Sequence, residues 1–152
     1  MRIDICSCFF RESINFLLEC PETCAFEVAE VTILAVHGSP RSISEGIGKN
    51  IGENELETIF SNIEESVIVS GHSHVPFIGK VANKTIFNVG SIGMPLDGDN
   101  RASYGIIKIK NRNPECSIRR VTYPISETLT IAQNRGFPDL KNYKKKLNEA
   151  RI

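Results

Sequence analysis

The apolar residues in the first half of the chain form two short continuous runs on either side of a segment with helical spacing. Residues Val31–Val36 are apolar except for Thr32, which is typical of a strand covered on both faces. Residues 55–63 repeat apolar side chains at helical intervals, and residues 66–70 form a second buried run. A strand, a helix and a strand in this order predict a right-handed parallel crossover.

Weaker patterns predict further strands and helices around this unit. A helix over residues 12–20 precedes a hairpin whose first strand is 25–28 and whose tight turn is Ala29-Glu30. Downstream, four short strands separated by Gly, Asn and Pro turns predict an antiparallel or mixed sheet: 75–79, 85–89, 104–109 and 117–122. Two terminal helices follow, at about 126–134 and 138–149. This order predicts the α/β class, with mixed β-sheets packed on each other and flanking helices.

Length and charge limit the number of domains and the kinds of partner. The 152 residues predict a single domain, 1–152, in which residues 1–11 are an atypical segment without a clear period. Eighteen basic and eighteen acidic residues cancel, so no global field favours nucleic acid or an acidic membrane. No apolar run is long enough for a membrane span, and the first residues make a poor signal peptide. We therefore expect a cytoplasmic protein.

The five cysteines do not predict a disulfide framework, because their number is odd. Cys6-x-Cys8 and Cys20-x3-Cys24 leave a zinc knuckle open as an alternative, but their spacing differs from the common Cys-x2-Cys pairs and no histidine lies nearby. Reduced thiols are the expectation for an intracellular chain.

All three histidines of the chain follow the two buried runs. His37 comes directly after the first run, and His72 and His74 come just after the second. Parallel strands joined by a crossover end at the same edge of a sheet, where open α/β sheets bind their ligands. In an extended segment, residues i and i+2 face the same side, so His72 and His74 are expected to turn towards one centre. Imidazole is the commonest metal ligand, and the pattern therefore predicts one metal site at this edge.

Several linked motifs then resemble a known family. They are Gly71-His72-Ser73-His74, the stretch Asn-Val-Gly-Ser-Ile-Gly-Met-Pro at 88–95, the stretch at 97–104, and Val-His-Gly-Ser-Pro at 36–40. In this order they closely resemble the C-terminal half of calcineurin-like metallophosphoesterases, and within them a group of small bacterial and archaeal phosphodiesterases. The resemblance covers about residues 12–150 and implies part of an α/β/β/α sandwich.

The resemblance implies a function and a set of ligands. Members of the family hydrolyse phosphomonoesters or phosphodiesters with two metal ions, typically manganese, nickel, iron or zinc, in a complete site. By resemblance, His37 and His72 would bind one ion and His74 the other. Two such ions lie about 3.5–4 Å apart and bind both the attacking and the leaving oxygen.

Polar residues after the histidines are candidates for substrate binding. Asn88 and Ser91 are candidate hydrogen-bond donors to a phosphoester. Arg101 is a third candidate, although its closeness to Asp97 and Asp99 favours an ion pair that braces the loop. A loop rich in Gly and Ser, residues 38–52, does not have the spacing of a dinucleotide site.

The amino-terminal motifs of the family have no counterpart in this chain. An Asp-x-His strand end, a Gly-Asp-x-x-Asp motif and a Gly-Asn-His motif are absent, and they supply the carboxylates of the complete site. The expectation is therefore a truncated or split phosphoesterase that carries the C-terminal part of its site, with activity of the isolated chain left open. The alternative is a catalytically inactive binding or scaffold protein. Uncovered sheet surface predicts a homo-oligomer or a partner chain that supplies the N-terminal half.

Overall fold

A computed structural model of the chain describes residues 11–151, and the predicted segment 1–11 lies almost entirely outside this range. Within it the chain alternates helices and strands. The helices are α1 (Arg11–Glu19), α2 (Glu53–Phe60), α3 (Ile125–Asn134) and α4 (Leu140–Glu149). The strands are β1 (Thr23–Val28), β2 (Val31–Val36), β3 (Val67–Ser70), β4 (Phe77–Val81), β5 (Lys84–Asn88), β6 (Ala102–Lys110) and β7 (Asn113–Val121). None of the helices in this range is long and apolar enough to cross a membrane.

The main sheet has five strands in the order β1-β2-β3-β5-β4. Its three central strands run parallel, with Ile33 of β2 opposite Val67 of β3, and the two outer strands run antiparallel to their neighbours. The parallel pairing of β2 and β3 around α2 confirms the predicted crossover. The turn Ala29-Glu30 between β1 and β2 has φ values of 47° and 61°, the left-handed conformation that a tight hairpin turn requires.

Both faces of the central strands of the main sheet are covered. On one face, Ile59 and Phe60 of α2 pack on Ile68 and Ile86. On the other face lies a second sheet, the hairpin β6-β7, whose Ile107 joins the buried cluster of β2 and β3. This arrangement confirms the prediction of sheets packed on each other with helices outside.

Close contact between the two sheets depends on a glycine. A Cβ placed on Gly105 of β6 would lie 2.5 Å from the Phe87 ring and 2.7 Å from Val89. Only a residue without a side chain lets the backbone of β6 approach the Phe87 ring this closely.

Several boundaries differ from the sequence predictions, among them the starts of α2 and β4. Asn54 was the predicted N-cap of α2, but Gly52 occupies that position and makes no side-chain cap. The helix therefore begins two residues before the predicted start. Strand β4 begins at Phe77 and not at Val75, because Pro76 has no N–H to donate to a neighbouring strand.

Candidate metal centre

The two histidine motifs meet at the carboxyl edge of the main sheet. His37 follows β2, and Gly71 and His72 follow β3. The Gly71 N–H donates to the His37 carbonyl oxygen over 2.9 Å, which continues the pairing of the two strands past their ends. The predicted meeting of the two motifs at one edge is therefore confirmed.

His37 and His72 form a close pair. Nδ1 of His72 lies 3.3 Å from Nε2 of His37, and the rings are nearly perpendicular, with centroids 5.2 Å apart. Two imidazole nitrogens that bind one zinc ion at 2.0–2.1 Å with tetrahedral angles lie about 3.3 Å apart. The donor atoms of this pair therefore already have the separation that a shared ion needs.

The backbone of the histidine turn, Gly71-His72-Ser73-His74, is left-handed at both histidines. His72 has a φ of 60° and His74 a φ of 57°. Non-glycine residues with positive φ are uncommon, and they persist only where the surrounding structure holds them, at a cost of about 1–3 kcal/mol each. The prediction of an extended segment here was wrong. The two imidazoles are oriented by a turn and not by strand alternation.

His74 stands apart from the pair and has its own partner. Its Nδ1 donates to the Met94 carbonyl oxygen over 2.8 Å, which leaves Nε2 as the acceptor nitrogen. A carbonyl partner on one ring nitrogen is the usual way in which proteins orient a ligating histidine. Among residues 11–151, no group of three or more His, Cys, Asp or Glu side chains lies close enough to bind one ion. The structure thus brings together two of the three predicted ligands.

Asn88 holds the histidine turn from inside the fold. It is fully buried opposite Ser70, and its Nδ2 lies 2.7 Å from the Gly71 carbonyl, 3.0 Å from the Ile47 carbonyl and 3.0 Å from Ser73 Oγ. Its Oδ1 accepts from the Gly90 N–H. Asn88 is predicted to contact a substrate, but its hydrogen-bonding groups are all used within the protein. It acts here as a positioning residue.

The other two candidate substrate contacts also have partners. Ser91 Oγ accepts from the Met94 N–H over 3.0 Å and is half-buried. Arg101 donates two hydrogen bonds to Asp99, 2.9 and 2.7 Å long, and this contact lowers the pKa of the Asp99 carboxyl to about 2. Arg120 of β7 pairs with Asp97 in the same loop. The ion-pair interpretation of Arg101 is therefore confirmed, and its contact with phosphate remains a prediction.

The loop of residues 38–52 packs against His72. The sequence did not predict this contact. A Cβ on Gly46 would lie 3.0 Å from Cδ2 of His72, so the loop backbone rests directly against the imidazole. The loop itself is braced by Glu45, which accepts from Arg41 and Ser39, and these contacts lower the pKa of its carboxyl. In the sequence, only the abundance of glycine in this loop was compatible with such a close backbone contact.

The three cysteines that the structure describes do not contribute to this site. Cys20 and Cys24 are exposed free thiols, and burial raises the pKa of the half-buried Cys116 thiol. Cys6 and Cys8, the other half of the alternative zinc site, lie outside the described residues.

Two relatives of known sequence match most of this chain. The chain is 29% identical over 141 residues to the uncharacterized protein MJ0912 of Methanocaldococcus jannaschii, a match that covers 82% of this chain and 56% of that protein. It is 24% identical over 119 residues to a probable metallophosphoesterase of Methanothermobacter thermautotrophicus, which covers 77% of this chain and 63% of that one. The chain thus spans between about half and two thirds of the length of these relatives.

Solved structures share the fold. A metallophosphoesterase from Sphaerobacter thermophilus superposes with a TM-score of 0.78 at 23% identity, over 95% of this chain and 63% of that chain. The hypothetical protein PH1004 from Pyrococcus horikoshii superposes with a TM-score of 0.76 at 18% identity, over 90% and 53%. A family model described as the calcineurin-like phosphoesterase superfamily domain matches residues 3–112. The chain therefore belongs to the calcineurin-like phosphoesterase superfamily.

Proposed function

We propose that this chain is part of a metal-dependent phosphoesterase in which His37 and His72 hold one divalent transition-metal ion. Membership of the superfamily supports a phosphoesterase-type function and the use of divalent metals. The observation that carries the proposal is the 3.3 Å separation of His72 Nδ1 and His37 Nε2. Neutral imidazoles are good ligands for zinc, iron and nickel, and the family adds manganese to these choices.

The chain's own residues prepare this site before any ion arrives. The left-handed turn directs His72 towards His37, Asn88 holds the Gly71 carbonyl, and Gly46 closes the space behind the ring. His74 presents its Nε2 and is the proposed ligand of a second ion. When bound, such ions act as Lewis acids towards the phosphoryl group of a phosphomonoester or phosphodiester.

Metal binding tests the proposal directly. Equilibrium dialysis against zinc should give at least one ion per folded chain for the wild type. His37→Ala and His72→Ala should each weaken binding of that ion by more than about tenfold, since each removes one of two ligands. His74→Ala is the internal control, because it removes an imidazole outside the pair and should leave the first ion bound. Retention of wild-type affinity in both His37→Ala and His72→Ala would refute the site.

The structure also gives support to a second function, binding without catalysis. No carboxylate among residues 11–151 joins the histidines in a cluster, and two dications are normally held by negatively charged ligands. A scaffold protein would keep its stability and its partner binding in His72→Ala. Hydrolysis of a generic phosphodiester that is abolished by a chelator and by His72→Ala would exclude it.

A further inference from the structure

A pocket of about 500 Å³ opens beside the histidine turn. Ser73, which lies between the two histidines of the turn, forms part of its wall, and so does Gly46, which rests against His72. The rest of the polar lining is formed by Lys49, Asn50, Asp97 and Arg151. The pocket therefore shares residues with the proposed metal centre but extends away from it.

The pocket carries two cationic groups without a countercharge. Within residues 11–151, neither the Lys49 ammonium nor the Arg151 guanidinium has a hydrogen-bond or ion-pair partner. Asp97 is the one acidic residue of the lining, and it is already neutralised by Arg120. Two unpaired cations in one concave space attract an anion and raise its local concentration.

Both cations are placed by local backbone structure. Ala150, buried and left-handed with a φ of 50°, ends α4, and its carbonyl accepts from the Gly98 N–H over 2.9 Å. This hydrogen bond places the guanidinium of Arg151 over Gly98, where an added Cβ would be 3.6 Å from it. Lys49 lies in a turn that the Ile51 N–H closes by donating to the Gly48 carbonyl.

The lining also has an apolar part. Ile51, Val75 and Leu96 contribute hydrocarbon surface to the same pocket. A ligand that fits this wall has an organic body as well as a negative charge. Inorganic phosphate alone would leave the apolar part of the wall without a partner.

We infer that this pocket binds a second phosphate of the substrate, so that the preferred substrates are organic phosphoesters that carry two phosphates. This inference rests on the proposed function, since the metal ion held by the histidines would bind the phosphate that reacts. Lysine and arginine are the usual partners of phosphate, the lysine as a point charge and the arginine through a bidentate contact.

Calorimetric titration with adenosine 3′,5′-bisphosphate in chelator-containing, metal-free buffer tests the pocket separately from the metal. Lys49→Gln and Arg151→Gln should each weaken binding by about five- to tenfold, the effect of losing one charge-assisted hydrogen bond. Lys145→Gln, on α4 but outside the pocket, is the matched control and should bind as the wild type.

Each other result overturns the inference. An equal loss of bisphosphate affinity in Lys145→Gln would mean unspecific electrostatic attraction. Equal affinity for adenosine, adenosine monophosphate and the bisphosphate would mean that the phosphates are not recognised. Inorganic phosphate that binds as tightly as the bisphosphate would make this a site for free phosphate. If instead the bisphosphate binds as expected while zinc does not, the proposed function fails and the anion pocket stands without its role in a substrate.

Discussion

At the scale of the residue, the site depends on backbone conformations that cannot be predicted from the sequence. Residue type and strand order are sufficient to place His37 and His72 at one edge. The positive φ values of His72 and His74 are not visible in this way, because histidine adopts the left-handed region only where its surroundings hold it there. The contact of Gly46 with the His72 ring cannot be predicted from the sequence either, because the two residues are 26 positions apart and only the fold brings them together.

Gly46→Ala should lower metal affinity without unfolding the protein. The new methyl group would lie 3.0 Å from Cδ2 of His72 and displace the ring from its position beside His37. We expect about tenfold weaker zinc binding, in line with changes to residues that orient ligands, measured by competition with a chromogenic chelator. Gly48→Ala is the control, because no heavy atom lies within 4 Å of its added methyl group. Equal affinities of the two variants would show that Gly46 does not position the ring.

At the scale of the element, the strongest hydrophobic pattern gave the most accurate strand bounds. The bounds of β2 were predicted to the residue, because a continuous apolar run between Glu30 and His37 leaves little choice of register. Asn88 shows the opposite case. A polar residue at a strand end is compatible with either ligand binding or internal hydrogen bonding, and only the positions of Ile47 and Gly71 distinguish the two.

Asn88→Ala should destabilise the fold, because it leaves the buried Ile47 carbonyl without its donor and removes one of the two donors to the Gly71 carbonyl. The expected loss is about 2–4 kcal/mol in the free energy of unfolding, measured by urea denaturation. Asn62→Ala, at an exposed position after α2, should change it by less than about 0.5 kcal/mol. A variant as stable as the wild type would show that ordered water replaces the amide.

At the scale of the whole molecule, α1 and β1 expose several large apolar side chains. Phe16 and Leu18 of α1 are 67% and 78% exposed, and Phe26 and Val28 of the outer strand β1 are 46% and 48% exposed. An outer strand also presents unpaired backbone groups to any chain that approaches it. Where exposed apolar side chains form one patch, that patch marks an interaction site.

We expect the chain to form homo-oligomers through α1 and β1. Light scattering coupled to size exclusion should give a mass that is a multiple of 16.9 kDa and that falls to the monomer in Phe16→Ser/Leu18→Ser. The matched control is Ile131→Ser/Phe137→Ser, which removes two exposed apolar side chains from another part of the surface. A wild-type monomer across the accessible concentration range would contradict the expectation and favour a different polypeptide as the partner of this surface.

The pairing of His37 with His72 also has a consequence for how the chain folds. The two residues are 35 positions apart, and they meet only when β2 and β3 have paired around α2. Non-local contacts of this kind form late, after the entropy of closing the intervening loop has been overcome. Metal capture would therefore report completion of the parallel core in real time, and a stopped-flow refolding experiment with a zinc-sensitive dye would follow that step.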